Sequence, residues 1–449
     1  MITAISWSIA LLLSCSTDSN ENTPPTPEIV LTQTAEKPDV VLILIDTLRV
    51  DHMPFHGYNK DTAPFLTAMS ENAAVFSHAW STSSWTAPST ASVFTGVYPN
   101  QHGVLVGFFA TEHQANAMGD GEHTTMPSFQ LPADLPTLPE LFKAAGYQTF
   151  GVAGNINIGS DIGFDRGFDQ FLLAHQATAR ELATQLVQWQ PQIESGPAFV
   201  YAHINDSHAP YLKRDPWYQP QEDEIADMQS AYNSEIRYID LYIQRLVEKF
   251  GWHDDIVMVV SDHGEEFNDH GQLGHLTSLH RELVQALWMV HGPGIAPQRI
   301  DENTSLVDVF STILELGDVP VPDNRSGVSL APMLRGESED LTAALAERPV
   351  YHHRVERESP NPADWRELWG VTQGEWRLIE EGETRKLYHV NDDITEQNNL
   401  VAMRTQTVET MASTLREFRQ NPGPSWSQEI ELELNPDLYE QLQSMGYVE

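Results

Sequence analysis

The chain is poor in cysteine and in positive charge. Among its 449 residues Cys15 is the one cysteine, so no internal disulfide can form. Lysine and arginine total 25 against 64 aspartates and glutamates, a formal net charge of -39. A surface of that sign repels polyanions and anionic lipid, which argues against a nucleic-acid polymer as partner. No Lys or Arg occurs between Lys60 and Lys143. An anionic substrate bound there needs positive charge from another source, such as a metal ion. The apolar run that opens the chain is too short to span a bilayer.

That opening run, "MITAISWSIALLLSC", is similar to a bacterial lipoprotein signal in which Cys15 becomes the lipidated first residue. Its n-region has no Lys or Arg, so a plain signal peptide stays open. The following "STDSNENTPPTPEIVLTQTAEKP" is rich in Ser, Thr, Asn and Pro, a composition that suits a tether and cannot bury a core. The expectation is an exported periplasmic or cell-envelope protein, with a signal over residues 1–15 and a tether over 16–37. Membrane contact would come only through a lipid on Cys15.

Beyond the tether, apolar β-branched runs alternate with helical patterns. "DVVLILID", "AFVYAHIN" and "DIVMVVSDHGEE" read as buried strands, and "ALWMVHGPGI" as a fourth. "TLPELFKAAG" and "MQSAYNSEIRYIDLYIQRLVEKFG" read as helices, the second ending at Gly251. Such alternation predicts a doubly wound α/β sheet, with functional groups at the carboxyl ends of its strands. After about residue 345 the texture changes. "LWGVTQGEWRLIEEGETRKLYHV" predicts short antiparallel strands and "TVETMASTLREFRQN" a helix, which together form a small C-terminal α+β subdomain over 346–449.

Four segments carry side chains with chemistry. Asp46 closes a strand in "ILIDTLRVDH", as a ligand or as the cap of a following helix. Asp262 and His263 end another strand in "SDHGEEFNDHGQLGH", where an oxygen and a nitrogen can meet one ion; His270 and His275 share that loop. His203, Asp206 and His208 lie in "YAHINDSHAPY", where His208 is a donor to a bound oxyanion, a ligand of a second metal, or a packed histidine. In "SSWTAPSTASVFTG" a helix is predicted to start near Pro88. A hydroxyl there, Thr86 or Ser89, sits in a field that favours negative charge, or simply caps a turn.

Taken together, these segments resemble the sulfatase family of the alkaline phosphatase superfamily. The matching phrases are "IDTLRVDH", "TAPSTASVFTG", "GYQTFGV", "GFDRGFDQF", "HINDSHAPY", "SDHGEEFNDHG", "SLVDVFSTILELGDVPVP" and "KLYHVNDDITEQNNL", in the family's order. The resemblance implies an alkaline-phosphatase-like doubly wound mixed sheet with helices on both faces, and a catalytic domain over 38–345. It implies Asp46, Asp262 and His263 as metal ligands, Thr86 as nucleophile touching the same ion, and His208 and His275 as contacts to the substrate anion. His102 in "YPNQHGV" and Arg49 are further substrate-binding candidates. The cofactor is one divalent ion, Ca, Mn or Zn, and Asp206 with His208 and His275 would hold a second.

Two departures shape the expected chemistry. Family sulfatases place Cys or Ser, oxidised to formylglycine, where Thr86 stands, and threonine cannot give that aldehyde. They also carry Arg where this chain has Thr90. One hydroxyl cannot expel a sulfuryl group by elimination, so water must clear a Thr-bound intermediate. Less positive charge favours a phosphodiester over a dianionic monoester. The expectation is a metal-dependent hydrolase or transferase of anionic sulfate or phosphate esters. The alternative is a catalytically degenerate lipoprotein of the same fold with a binding role.

Overall fold

Two acidic strand ends, Asp46 and Asp262, mark the middle of the molecule. The computed structural model describes residues 37–107, 125–275, 278–337, 339–356, 365–426 and 429–433. The expected signal and all but the last residue of the tether lie outside them. Five strands run parallel in the spatial order Gln170–Leu173, Gln148–Ala153, Ala198–Ile204, Val40–Ile45 and Ile256–Ser261. Trp288–His291 joins antiparallel, Ala74–Trp80 pairs antiparallel with it, and Gln298–Ser305 lies parallel to Ala74–Trp80. The sheet is therefore mixed. The single strand expected in "ALWMVHGPGI" is divided into Gln285–Ala286 and Trp288–His291. Leu287 between them is held by Ser261, which receives its N–H on Oγ at 2.8 Å and donates its own N–H to the Leu287 carbonyl.

Both faces are covered, which is why the strands read as unbroken apolar runs. Along the central strand, Val40, Leu42 and Leu44 enter one core while Val41, Ile43 and Ile45 enter the other. Each such side chain contributes roughly 1.5–3 kcal/mol on full burial. Helices Thr86–Thr95, Leu138–Ala144 and Val307–Leu316 pack on the first face. Helices Ala179–Gln188 and Glu224–Phe250 pack on the second. Asp223 caps the long helix through Ala226 N at 2.9 Å, and Gly251 ends it with φ 76°.

Helix Thr86–Thr95 begins two residues before the predicted start. Trp85 takes the extended cap conformation, so Pro88 falls in the first turn, where its missing N–H costs nothing. Gly96 stops the helix at φ 71°, and a Cβ there would meet the Phe310 ring at 2.7 Å.

In the C-terminal part, strands Val350–Glu356, Arg366–Gln373, Trp376–Glu381 and Thr384–His389 form an antiparallel sheet. Helix Thr405–Gln420 packs on it through Val408, Met411, Ala412 and Leu415. The first of these strands was not legible in the sequence. It is fastened to the main body, with His353 N donating to Thr82 O at 2.8 Å and His352 Nδ1 to Ser81 O at 2.7 Å. Among the described residues no helix is long and apolar enough to cross a membrane.

Candidate active site

Neighbouring parallel strands bring their ends to one place. Asp46 follows Val40–Ile45, Asp262 and His263 follow Ile256–Ser261, and Asn155 follows Gln148–Ala153. His203 lies within Ala198–Ile204, beside Leu44 in register. Thr47, just past Asp46, has φ 55°, a rare conformation for a β-branched residue. Holding it costs roughly 1–3 kcal/mol, which the contacts around it offset. Its N–H donates to Asp262 Oδ1 at 3.2 Å, and its carbonyl accepts from Tyr232 Oη at 2.8 Å. Strain at the strand end thus ties Asp46 to Asp262.

Asp46, Asp262 and His263 are fully buried, and one ligand atom from each lies within 4.8 Å of the others. Among the described residues Asp46 Oδ1 and Asp262 Oδ2 have no hydrogen-bond partner. Two buried carboxylate oxygens left so are expensive unless a cation meets them, and this donor set fits a divalent metal. Burial, then the charge of Asp46, pushes the Asp262 carboxyl well above its ordinary range. Burial and then the neighbouring His275 hold His263 well below the usual histidine value. His263 Nδ1 faces Gly264 O at 2.9 Å, so the neutral ring donates there and keeps the Nε2 lone pair for a ligand. Gly264 is required: a Cβ would lie 1.9 Å from Glu282 O.

Thr86 Oγ1 is 3.4 Å from Asp46 Oδ2 and 3.3 Å from His263 Nε2. The hydroxyl is buried on the first residue of its helix. Ser89, one turn on, donates to Asp262 O at 2.7 Å and locks the helix start onto the strand end. Rings of His263, His275 and His208 follow one another with centroids 4.6 and 5.1 Å apart. His275 Nδ1 contacts Glu265 Oε1 at 2.9 Å, which turns Nε2 the other way. Burial acts to raise the Glu265 carboxyl, but His275 and the Tyr211 hydroxyl outweigh it and hold it low. The structure thus brings together Asp46, Thr86, Asp262, His263, His275 and His208.

Three expectations are corrected. Arg49 does not face the site: its guanidinium binds Asp51 at 2.7 and 2.9 Å, Asp269 at 2.8 Å and Glu265 O at 3.0 Å. Its charge is neutralised within that loop network. His102 is fully buried, accepting from Val104 N at 3.1 Å on Nδ1 and meeting Ser92 Oγ at 3.1 Å on Nε2. Burial pushes its pKa down to about 3, so it is a neutral brace behind the Thr86 helix. Asp206 accepts Ala179 N at 2.7 Å and Arg214 Nη2 at 2.9 Å, so both oxygens are engaged. Among the described residues Asp206, His208 and His275 form no group close enough to share an ion.

One residue, Asn155, was missed as a member of the site, and His203 was named there without a role. Asn155 Nδ2 donates to Asp46 Oδ2 at 2.6 Å, and His203 Nε2 lies 3.4 Å from the same oxygen. Burial outweighs Asp46 and takes His203 down to about 4. The available signal was position, since "FGVAGN" puts Asn155 just past a strand.

A doubly wound sheet with a buried Asp–Asp–His cluster at its carboxyl edge, and a hydroxyl at a helix N-terminus against it, defines a hydrolytic enzyme with the makings of a metal centre. Sulfatase is the family that matches residues 38–319, well over half of the sequence, and the chain belongs to it. It is 23% identical to arylsulfatase K of Xenopus laevis, over 87% of this chain and 84% of that protein. Among solved structures, a 2-O GAG sulfatase superposes with a TM-score of 0.69 at 17% identity, covering 88% of this chain and 98% of the other. The phosphonate monoester hydrolase of Agrobacterium radiobacter gives 0.68 at 16% identity, covering 86% and 96%. These likenesses confirm the alkaline-phosphatase-like fold.

Proposed function

We propose that the chain is a metal-dependent hydrolase or transferase of sulfate or phosphate esters in which Thr86 replaces formylglycine as nucleophile. The observation that carries this reading is the Thr86 hydroxyl, within 3.4 Å of both Asp46 and His263 beside two unpartnered carboxylate oxygens. A divalent ion held by Asp46, Asp262, His263 and Thr86 Oγ1 would supply Lewis-acid chemistry, lowering the hydroxyl pKa and neutralising substrate charge. The Thr86 proton has an acceptor in Asp46 Oδ2. Thr86 Oγ1 then attacks phosphorus or sulfur in line, forming the Thr–O bond as the bond to the leaving oxygen breaks. His275, backed by Glu265, and His208 hold the non-bridging oxygens and return a proton to the leaving oxygen. Water then attacks the same central atom, giving a proton to the histidine that protonated the leaving oxygen, and the Thr86 oxygen departs with the proton held on Asp46.

Phosphodiesters are favoured over phosphate monoesters, because they carry one negative charge fewer and this segment lacks arginine; over sulfate esters, which carry the same single charge, they are favoured because threonine cannot expel a sulfuryl group by elimination. Structural likeness to a phosphonate monoester hydrolase supports that direction. A cavity of about 280 Å³ lined by Asn155, Asn205, His208 and Arg214 has room for part of a leaving group. The intact cluster favours turnover over the degenerate reading. This reading also takes the chain to be exported and anchored through Cys15; labelling with a radioactive fatty acid, lost in Cys15→Ala, tests that part.

The decisive experiment assays aryl sulfate, aryl phosphate and aryl phosphodiester in parallel with Ca, Mn and Zn. Diester cleavage should dominate, and Thr86→Ala should lower kcat roughly a thousandfold. Full esterase activity in Thr86→Ala would remove the nucleophile, and a protein binding no stoichiometric ion would favour the degenerate alternative.

A further inference from the structure

The Thr86 helix has Thr90 where the motif it resembles has arginine, and among the described residues Thr90 Oγ1 is buried without a partner. Ser83 Oγ and Ser84 Oγ, just before the helix, are in the same state. Arg354, from the C-terminal sheet, has another such atom. Strand Val350–Glu356 is fastened at His352 and His353 to Ser81 and Thr82, so the next residue reaches Trp85, the cap of the Thr86 helix. The Arg354 guanidinium carbon lies 5.0 Å from the Trp85 ring centroid, within cation–π range. Its side chain is 2% exposed. Among the described residues its one hydrogen bond is a long Nε contact to Glu356 Oε1 at 3.4 Å, and Nη1 has no partner.

Glu356 in turn is engaged by Arg366 at 2.8 Å, so it compensates Arg354 only in part. A buried guanidinium in this state is costly, and its planar fork matches the oxygens of a tetrahedral anion.

We propose that Arg354 binds the substrate's anionic group, supplying from the C-terminal sheet the guanidinium missing at Thr90. This rests on the reading of Thr86 as the reacting site, and it adds the residue that sets preference by substrate charge. Arg354 acts in binding, so its effect should appear in KM and in the affinity for a product-like anion, whereas Thr86 acts on kcat.

The experiment uses the metal-loaded protein and inorganic phosphate, with calorimetric Kd as readout alongside KM and kcat. Arg354→Gln should weaken phosphate at least tenfold and raise KM similarly, with kcat changed less. Thr90→Arg in the same background should restore part of the affinity. Thr86→Ala should keep the Arg354-dependent phosphate affinity while losing turnover. Unchanged phosphate Kd in a folded Arg354→Gln protein overturns the proposal and leaves the Thr86 reading standing; undiminished turnover in Thr86→Ala does the reverse. Should Arg354→Gln fail to fold, fluorescence decides: phosphate must perturb an emission signal present in the parent protein and absent from Trp85→Phe. Identical titration curves for the two would overturn the assignment.

Discussion

Asn155 Nδ2 donates to Asp46 Oδ2 at 2.6 Å, while Asp46 Oδ1 is left without a hydrogen-bond partner. The amide fixes the carboxylate plane and turns the free oxygen toward Asp262 and His263. Two strand ends, separated in the sheet by Ala198–Ile204, thereby prepare one ligand, a division of labour typical of metal sites.

Asn155→Ala should therefore lower metal affinity about 10–100-fold. Competition against a chromophoric chelator measures it. The metal-free protein should also lose about 1–3 kcal/mol of stability, because Asn155 Oδ1 accepts Asn157 N at 2.9 Å and that buried bond goes with the side chain. An unchanged metal Kd would show that Asp46 holds its orientation without the amide.

Ser89 joins the Thr86 helix to the Asp262 strand end, donating to Asp262 O at 2.7 Å and lying 2.9 Å from Ser81 Oγ. Ser89→Ala should cost about 1–3 kcal/mol of stability by removing a buried hydrogen bond. Urea unfolding reads this as a lower midpoint at constant slope. Activity should fall as well, since the helix start that carries Thr86 loses its anchor.

Much of this site could be read from the sequence because buried parallel strands are unbroken apolar runs and the acids that end them stand out. Asp46, Asp262 and His263 follow from that rule, and Thr86 from the frame of "TAPSTASVFTG". What stayed hidden depends on contacts between distant segments. Arg49 reads as a free cation until Asp269 is seen against it, and His102 reads as a site residue until Val104 and Ser92 engage both nitrogens. Arg354 lies in "YHHRVERE", whose strand meets Ser81 and Thr82 only in the folded chain.

His270 was grouped with the metal-site histidines by sequence, but it belongs to a different network. Its Nδ1 meets Glu282 at 2.6 Å and its Nε2 meets Glu396 O at 3.1 Å, so both nitrogens face acceptors. Burial acts to lower its pKa, yet the Glu282 hydrogen bond and charge raise it to about 9. The folded value lies above the unfolded one of about 6.5, so the stabilisation is complete below that pH and is lost as pH rises toward 9. Stability should fall across that window in the parent protein. In His270→Asn the fall should be smaller, as chemical denaturation at a series of pH values will show.

Asp262 gives the sharpest separation of stability from function. Its Oδ1 accepts Thr47 N at 3.2 Å and His263 N at 2.8 Å, which an amide oxygen can also do. Its Oδ2 has no partner and lies in the cluster with Asp46, whose charge opposes its ionisation. Asp262→Asn keeps the shape and removes the repulsion. Without metal, the variant should be at least as stable as the parent. With metal at a hundred times its Kd, the parent gains about 2.7 kcal/mol, and the variant should gain almost nothing at that concentration. Urea titrations with chelator and with metal measure both gains. A variant that loses stability in chelator, yet keeps the full metal-dependent gain, would show that Asp262 is a structural carboxylate and that the ion binds elsewhere.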